Sequence, residues 1–354
     1  MDLEYSPALL SALSEAEHYL GQLDGIGQRL SDPGLLINPF LRREAVLSSK
    51  IEGTHTSYSD VVLFEAATRT NDHRDDNARQ VVNYVQALDF GYRQCRLQGT
   101  IDDDLIFAIH RTLMKGTLAT HARSGRLRTD QVHVRGNNIS VARYVPPPAE
   151  HLPGLMSDLT SFIATNRSLP LLFRIALVHY QFEAIHPFND GNGRVGRLLI
   201  TLILCLEQRL THPLLYLSAY FERNSEEYYD RLLAVSQRSA WTDWITFFIN
   251  GIREEARDAV KRTSTLFDLQ KEYRSRFSDS RASAPTRLID YLFESPVMTI
   301  PRAQHLLGVS YPSAKKIVGN LIGRGILRPM DYDARAQYYI ADEIVNVIEQ
   351  PVLS

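Results

Sequence analysis

The chain has 354 residues, 44% hydrophobic and 23% charged, with a formal net charge of −2 at pH 7. That length exceeds one typical domain, and the apolar content suffices for real cores. The near-balanced charge predicts neither a nucleic-acid protein nor a membrane-surface one on global electrostatics.

Residues 7–30 carry Leu, Ala and Ile at helical spacing and end in Ser31-Asp32-Pro33-Gly34, a clear break. No basic region precedes an apolar one at Met1-Asp2-Leu3-Glu4, so no signal peptide is expected. A second helix is expected from Pro39 to Glu52, with Leu41, Ala45, Ser48 and Glu52 near one face and Gly53 as its stop. Glu52 is then a carboxylate at the negative end of a helix, where the dipole disfavours it. It is either solvated near Lys50 or compensated by something positive. Residues 60–98 read as helical around a polar turn at 70–77, and 105–113 as a short amphipathic helix. The two cysteines, Cys95 and Cys205, lack metal-ligand spacing and read as plain thiols of a reducing compartment. Past Gly125-Arg126-Leu127-Arg128 the period changes. Val132 and Val134 alternate with His133 and Arg135, and Ile139 and Val141 with Ser140 and Ala142. Gly136-Asn137-Asn138 between them signals a hairpin, which Pro146-Pro147-Pro148 ends. Two strands alone are marginal in water, so this hairpin needs helices to pack on or a partner to serve.

Residues 152–165 and 171–185 read as helices that lead to His186-Pro187-Phe188-Asn189-Asp190-Gly191-Asn192-Gly193-Arg194-Val195-Gly196-Arg197. Asp190 to Gly193 reads as a tight turn, since Gly and Asn tolerate left-handed backbone. A buried helix is expected from about Asn192, and its glycine-rich start is an anion site. Arg194 and Arg197 are three apart and can share the face beside that anion. Gly191, Gly193 and Gly196 fit the dinucleotide fingerprint, but the segment before them is helical and no acidic residue lies between Glu207 and Glu222. Gly191 to Gly196 also has P-loop spacing, but Arg197 and Leu198 stand where Lys and Ser/Thr are required. No register supplies the acidic ladder of an EF-hand. Phosphate binding survives these tests; the usual folds for it do not. The apolar run after Arg197 reaches only Leu206, too short to span a bilayer, so a cytoplasmic protein is expected.

Downstream, 217–221 and 224–236 read as short helical stretches, and Trp241, Trp244, Ile245, Phe247 and Phe248 as core. Residues 253–276 suggest a connecting helix, and 278–283 a linker. The last segment offers helices around 288–293, 300–307 (capped by Thr299) and 313–322, with Gly308 in a helix-turn-helix-like turn. Ile326-Leu327 and residues 337–340 would form a wing. The order resembles a winged helix. It reads as a protein-contact module, with nucleic acid through Lys315, Lys316 and Arg324 as the alternative.

Residues 186–197 match, at every fixed position, the signature His-Pro-Phe-x-(Asp/Glu)-Gly-Asn-Gly-Arg-x-x-Arg, and most of 35–250 resembles the Fic family. The resemblance implies a mainly α fold, a helical bundle with a β-hairpin flap, here joined to the small C-terminal winged-helix-like domain. The domains implied are a helical region at 1–90 with an inhibitory helix at 39–53, a catalytic core at 91–260, a connecting helix and linker at 261–284, and the last domain at 285–354. The family moves AMP from ATP to a hydroxyl of a Ser, Thr or Tyr on a protein. Carried over by position, His186 would be the general base and Asp190 would hold Mg²⁺ against the phosphates. Gly191, Asn192 and Gly193 would form the anion cradle, with Gly196 beside it, and Arg194 and Arg197 would hold the β- and γ-phosphates. Members that phosphorylate carry Lys near Gly193, so an intact Gly193 implies AMP transfer.

Ser48-x-x-x-Glu52-Gly53 resembles the family's inhibitory motif. It implies that Glu52 pairs with Arg197 in the place of the γ-phosphate and autoinhibits the enzyme. The hairpin at about 132–142 would be the flap that docks an unidentified target protein by main-chain pairing, with His133 a surface residue. Tyr228 of Tyr228-Tyr229 would lie near the nucleotide base, or else both would be helix-surface aromatics packed on a neighbour. Relatives often dimerise, so a homodimer is open. Two further readings remain: removal of AMP by the same site with Glu52 orienting water, and a nucleotide-sensing regulator that binds nucleic acid.

Overall fold

The computed structural model describes residues 4–30, 34–67, 76–117, 123–136, 138–277, 283–333 and 336–350. The expected break at 31–33, most of the turn at 70–77, Asn137 of the hairpin turn and most of the linker at 278–283 lie outside them. The described chain is mainly helical with one small antiparallel sheet, as the sequence implied. No described helix is long and apolar enough to cross a membrane.

Ser6 caps the first helix, α1 (Pro7–Arg29), by accepting from Leu9 N–H, and Pro7 takes its first position. Helix α2 (Gly34–Ile51) starts earlier than the expected Pro39, which lies inside it. Helices α3 (Tyr58–Ala67) and α4 (Asp76–Gln98) follow, then α5 (Asp103–Leu113), capped by Asp102. Helices α6 (Leu152–Thr165) and α7 (Leu171–Ile185) lead to α8 (Asn192–Leu206), which starts where the glycine pattern put it. Every residue of α8 from Asn192 to Cys205 is buried. It is the core rod, packed against α7, α4, α2 and α5. A helix buried all round has its N-terminus fixed by its neighbours, so the turn before it is placed rigidly.

Helices α9 (Ser218–Arg223) and α10 (Ser225–Arg238) precede α11 (Trp241–Ser275). Helix α11 joins the expected aromatic core and the expected connecting helix into one rod, along which α1 packs. The rise in charge density near 253 therefore narrows the buried face, which runs on through Ile252, Ala256, Ala259, Thr263 and Leu266, and does not end the helix. The expected domain boundary at 260/261 falls within α11, and that at 90/91 within α4.

The C-terminal part comprises α12 (Ser283–Glu294), β1 (Val297–Thr299), α13 (Ile300–Leu307), α14 (Tyr311–Gly323), β2 (Arg328–Asp333), β3 (Ala336–Ile340) and α15 (Asp342–Glu349). The sheet order is β1-β3-β2, all antiparallel. Strand β1 and helix α15 were not anticipated, and β2 begins after the expected Ile326-Leu327, both of which are buried. This part rests on α2: Arg42 pairs with Glu65 at 2.7 Å and donates to the Glu294 carbonyl at 2.8 Å.

The expected hairpin strands are a correction. Val134 bridges Tyr144, not a residue of 139–141, with N–H to carbonyl distances of 2.9 and 3.3 Å. Ile139–Val141 forms a 3₁₀ turn capped by the Asn138 side chain. Asn138 competes for the backbone N–H of Ser140, so the alternating pattern there does not become a strand.

Candidate active site

Helix α2 ends in a Schellman turn. Thr54 N–H donates to the Ser49 carbonyl and Gly53 N–H to that of Lys50, both at 3.0 Å, with Gly53 at φ +89°. This turn leaves Glu52 at the helix end facing α8. Glu52 Oε1 accepts from Arg197 Nη2 at 2.6 Å. Arg197 also donates to Ser48, from Nε to Oγ at 2.8 Å and from Nη2 to the carbonyl at 2.9 Å. Lys50 instead pairs with Glu222 at 2.7 Å, so the cation that compensates Glu52 is Arg197. The Arg197 side chain is 1% exposed and that of Glu52 29%. Burial pushes the Glu52 carboxyl up, but Arg197, then Arg194 and His186, outweigh it and hold it below the ordinary range.

The Glu52 carboxylate lies directly over the start of α8. A Cβ on Gly193 would collide with Glu52 Oε1 and come within 2.9 Å of Arg197 Nη1. The free N–H groups and positive dipole end of a helix favour an anion at such a point. In this structure that anion is Glu52.

The turn from α7 to α8 is held from several sides. His186 closes α7 in a left-handed conformation, φ 50° and ψ 59°. Its Nδ1 lies 3.4 Å from the Glu183 carbonyl. Gly191 has φ +79° and caps α8. The Asn192 side chain accepts from Phe188 N–H and donates to the Phe188 carbonyl, both at 2.8 Å, so its polar atoms serve the turn. His110 stacks on Phe188 with ring centroids 3.8 Å apart. Its Nδ1 accepts from Gly125 N–H at 2.8 Å, leaving Nε2–H to donate to the Asp190 carbonyl at 3.0 Å. Burial pushes His110 down to about 4, so it stays neutral in this role. Buried Arg128 donates to the His186, Asp130 and Pro147 carbonyls at 2.8, 3.0 and 2.5 Å, and accordingly ties both ends of the 130–147 segment to the end of α7.

Asp190 Oδ1 accepts from Gly191 N–H at 2.6 Å and lies 3.3 Å from Arg194 Nη2; its side chain is 40% exposed. Among the described residues no three His, Cys, Asp or Glu cluster as metal ligands. Arg194 is buried, donates to Gln80 at 2.9 Å, and has an Nε with no hydrogen-bond partner among the described residues. Gly196 lets α7 approach closely: a Cβ there would come 2.5 Å from Glu183 Oε1. That oxygen is also buried without a partner among the described residues, and burial pushes the Glu183 carboxyl up to about 8. Burial lowers His186 below its ordinary 6.5.

Tyr228 packs on neighbouring aromatics. Its ring is buried among Phe221, Trp244 and His179, and its hydroxyl lies 2.9 Å from His179 Nε2. Tyr229 is the one of the pair that lines a pocket with Val134, Tyr144, Glu183 and His186, and the Arg135 guanidinium lies 3.9 Å from its ring centroid. His133 is exposed, as expected. Cys95 and Cys205 are buried and unbonded to each other. Sequence reasoning missed His110, Arg128 and Glu183, and of the aromatic pair it named Tyr228 rather than Tyr229. Only Arg128 carried a signal, as the second arginine of the Gly125–Arg128 run.

A family model described as Fic/DOC family N-terminal matches residues 10–93, and one described as Fic/DOC family matches 100–204; together they cover just over half of the chain. A probable protein adenylyltransferase of Aquifex aeolicus is 28% identical over 48% of this chain and 51% of its own length. Protein adenylyltransferase fic-1 of Caenorhabditis elegans is 34% identical over 30% of this chain and 19% of its own length. The chain thus spans about half or less of these curated relatives. A crystal structure of a Fic family protein from Desulfovibrio desulfuricans covers 96% of this chain and 98% of its own, at 23% identity and a TM-score of 0.61. The C. elegans Fic-1 fragment covers 73% of this chain and 75% of its own, at 19% identity and a TM-score of 0.56.

Proposed function

The chain belongs to the Fic/DOC family, and we propose that it transfers AMP from ATP to a hydroxyl of a target protein, with Glu52 holding the resting state off. The observation that carries this reading is the Glu52 carboxylate on Arg197 and over Gly193, an anion already seated where a phosphate would bind. The relatives named protein adenylyltransferase support the reaction class.

In this reading the target hydroxyl gives its proton to His186 as its oxygen bonds to the α-phosphorus. The bond from that phosphorus to pyrophosphate breaks, and the products are an AMP ester and pyrophosphate. Burial keeps the imidazole below 6.5, hence neutral and able to accept at pH 7. Its Nδ1 faces the Glu183 carbonyl, which favours the hydrogen there and leaves the Nε2 lone pair for the substrate. Arg194 Nε, buried without a partner, and the Arg197 guanidinium are the donors the triphosphate would meet once Glu52 leaves. Mg²⁺ is commonly held by one or two protein carboxylates with phosphates and water completing its shell, and the part-exposed Asp190 suits that role. Bound there it would neutralise charge on the phosphates. The exposed segment around Val134 and Tyr144 offers main-chain pairing to the target.

The test is intact-protein mass after incubating Glu52→Gly with ATP and Mg²⁺. An added adenylyl group is expected, on the chain itself or on protein from a cell extract. An added phosphoryl group, or no adduct in either setting, contradicts the proposal.

A further inference from the structure

Beyond the transferase site, the C-terminal part carries a surface that the proposed reaction does not use. Helices α13 and α14 are joined by a turn at Gly308, φ +67°, and are followed by the β2–β3 hairpin, whose third strand β1 precedes α13. Helix α14 buries Ala314, Val318 and Leu321 against its own module and packs chiefly on α13 and α12. The module meets the rest of the chain through α12, α15 and β1, against α2, α3 and α11. The opposite face of α14 is therefore turned to solvent. It exposes Tyr311, Ser313, Lys315, Lys316, Gly319 and Asn320.

The charge there is one-sided. Between Glu294 and Asp331 the sequence contains no Asp or Glu, but it contains Arg302, Lys315, Lys316, Arg324 and Arg328. Three of those cations are already engaged. Arg302 lies over the Tyr291 ring, Arg324 over the Phe277 ring, and Arg328 pairs with Asp342 at 2.6 Å. Among the described residues Lys315 and Lys316 pair with no carboxylate. Two unpaired lysines beside a polar Asn and Ser, on a helix set off by a tight turn, fit a polyanion. They do not fit an apolar protein groove, because Tyr311 is the only large hydrophobic residue exposed on α14.

We propose that residues 283–340 form a winged-helix reader of duplex DNA, with the exposed face of α14 entering the major groove. Lys315 and Lys316 meet backbone phosphates, and Ser313 and Asn320 are the side chains able to reach base edges. The contact is assigned to α14 alone, since Asp331 and Asp333 on β2 would repel phosphate. DNA is chosen over duplex RNA because the A-form major groove is too narrow for a helix.

The test is anisotropy of a fluorescent mixed-sequence duplex of about 30 base pairs titrated with the full chain, across a salt series from about 50 to 200 mM. Binding should weaken with salt. Lys315→Ala with Lys316→Ala should cost about tenfold or more at the lowest salt and reduce the log–log salt slope by about two. His186→Ala should bind as the unaltered chain does, which separates this inference from the proposed reaction. Absence of duplex binding at the lowest salt would overturn it. So would a double variant that binds equally well, or a single-stranded RNA of the same length that binds as tightly.

Discussion

The turn at 186–192 and the segment at 130–147 face each other across the candidate site and are built in opposite ways. In the turn, side chains hold the backbone: Asn192 takes both polar groups of Phe188, His110 holds Asp190, and Arg128 holds His186. In the segment opposite, one β-bridge and a 3₁₀ turn organise the chain, its side-chain ties are mostly surface ion pairs (Arg135 and Arg143 with Glu226) besides Tyr144 to the Ala184 carbonyl, and Ile139, Val141 and Val145 stand exposed. Arg128 reaches only its two ends. The difference teaches a division of labour. Groups that must be fixed to within a fraction of an ångström for chemistry sit on the satisfied side. The side that would meet a partner presents an exposed surface.

The largest way to break this contrast is His186→Ala in the Glu52→Gly chain. Loss of a general base costs about 10²–10⁴ in rate, so labelling should fall by that range in a fixed-time mass assay. A fall of less than tenfold would take His186 out of the chemistry. Next is Asn192→Ala, which leaves the Phe188 N–H and carbonyl buried and unpaired at about 1–3 kcal/mol for each group. Its thermal midpoint should drop by several degrees, and labelling with it. An unchanged midpoint would mean that the turn is not held by its side chains. A smaller effect is expected from pH. The folded value of His186 is lowered, so the base is fully available at neutral pH and is lost only as pH falls through that lowered value. Labelling by Glu52→Gly should be flat near pH 7 with its acid limb below 6.5. A limb above 6.5 would contradict the burial argument. The smallest effect belongs to the facing segment. Ile139→Ser or Val141→Ser should stay within about 0.5 kcal/mol in stability. A melting shift as large as that of Asn192→Ala would erase the comparison.

Much of this was legible in the sequence. Long apolar periodicity located α1, α7 and α8, and Gly191 and Gly193 marked the candidate anion site. The position of Glu52 at a helix end left solvation or a compensating cation open; the family resemblance named Arg197, which meets it at 2.6 Å. What was illegible depended on three-dimensional neighbours. Tyr228 and Tyr229 sit side by side on α10, and only the packing of Phe221 and Trp244 decides which ring is buried. His110 and Arg128 act on backbone carbonyls, which leave no complementary residue type to search for. The alternation at 139–141 suggested a strand, but the local Asn138 cap offered the backbone a closer partner. The rise in charge after 253 suggested a separate connecting helix, although a helix that buries a narrower face needs no break.

The central claim is that one cradle serves both Glu52 and phosphate. It is tested most directly by the initial rate of ATP-dependent self-labelling in the unaltered chain and in Glu52→Gly, at matched protein, ATP and Mg²⁺. A charge-assisted hydrogen bond of this kind is worth about 1.5–3 kcal/mol, so Glu52→Gly should label roughly ten to a hundred times faster. Equal rates in the two chains would contradict the account.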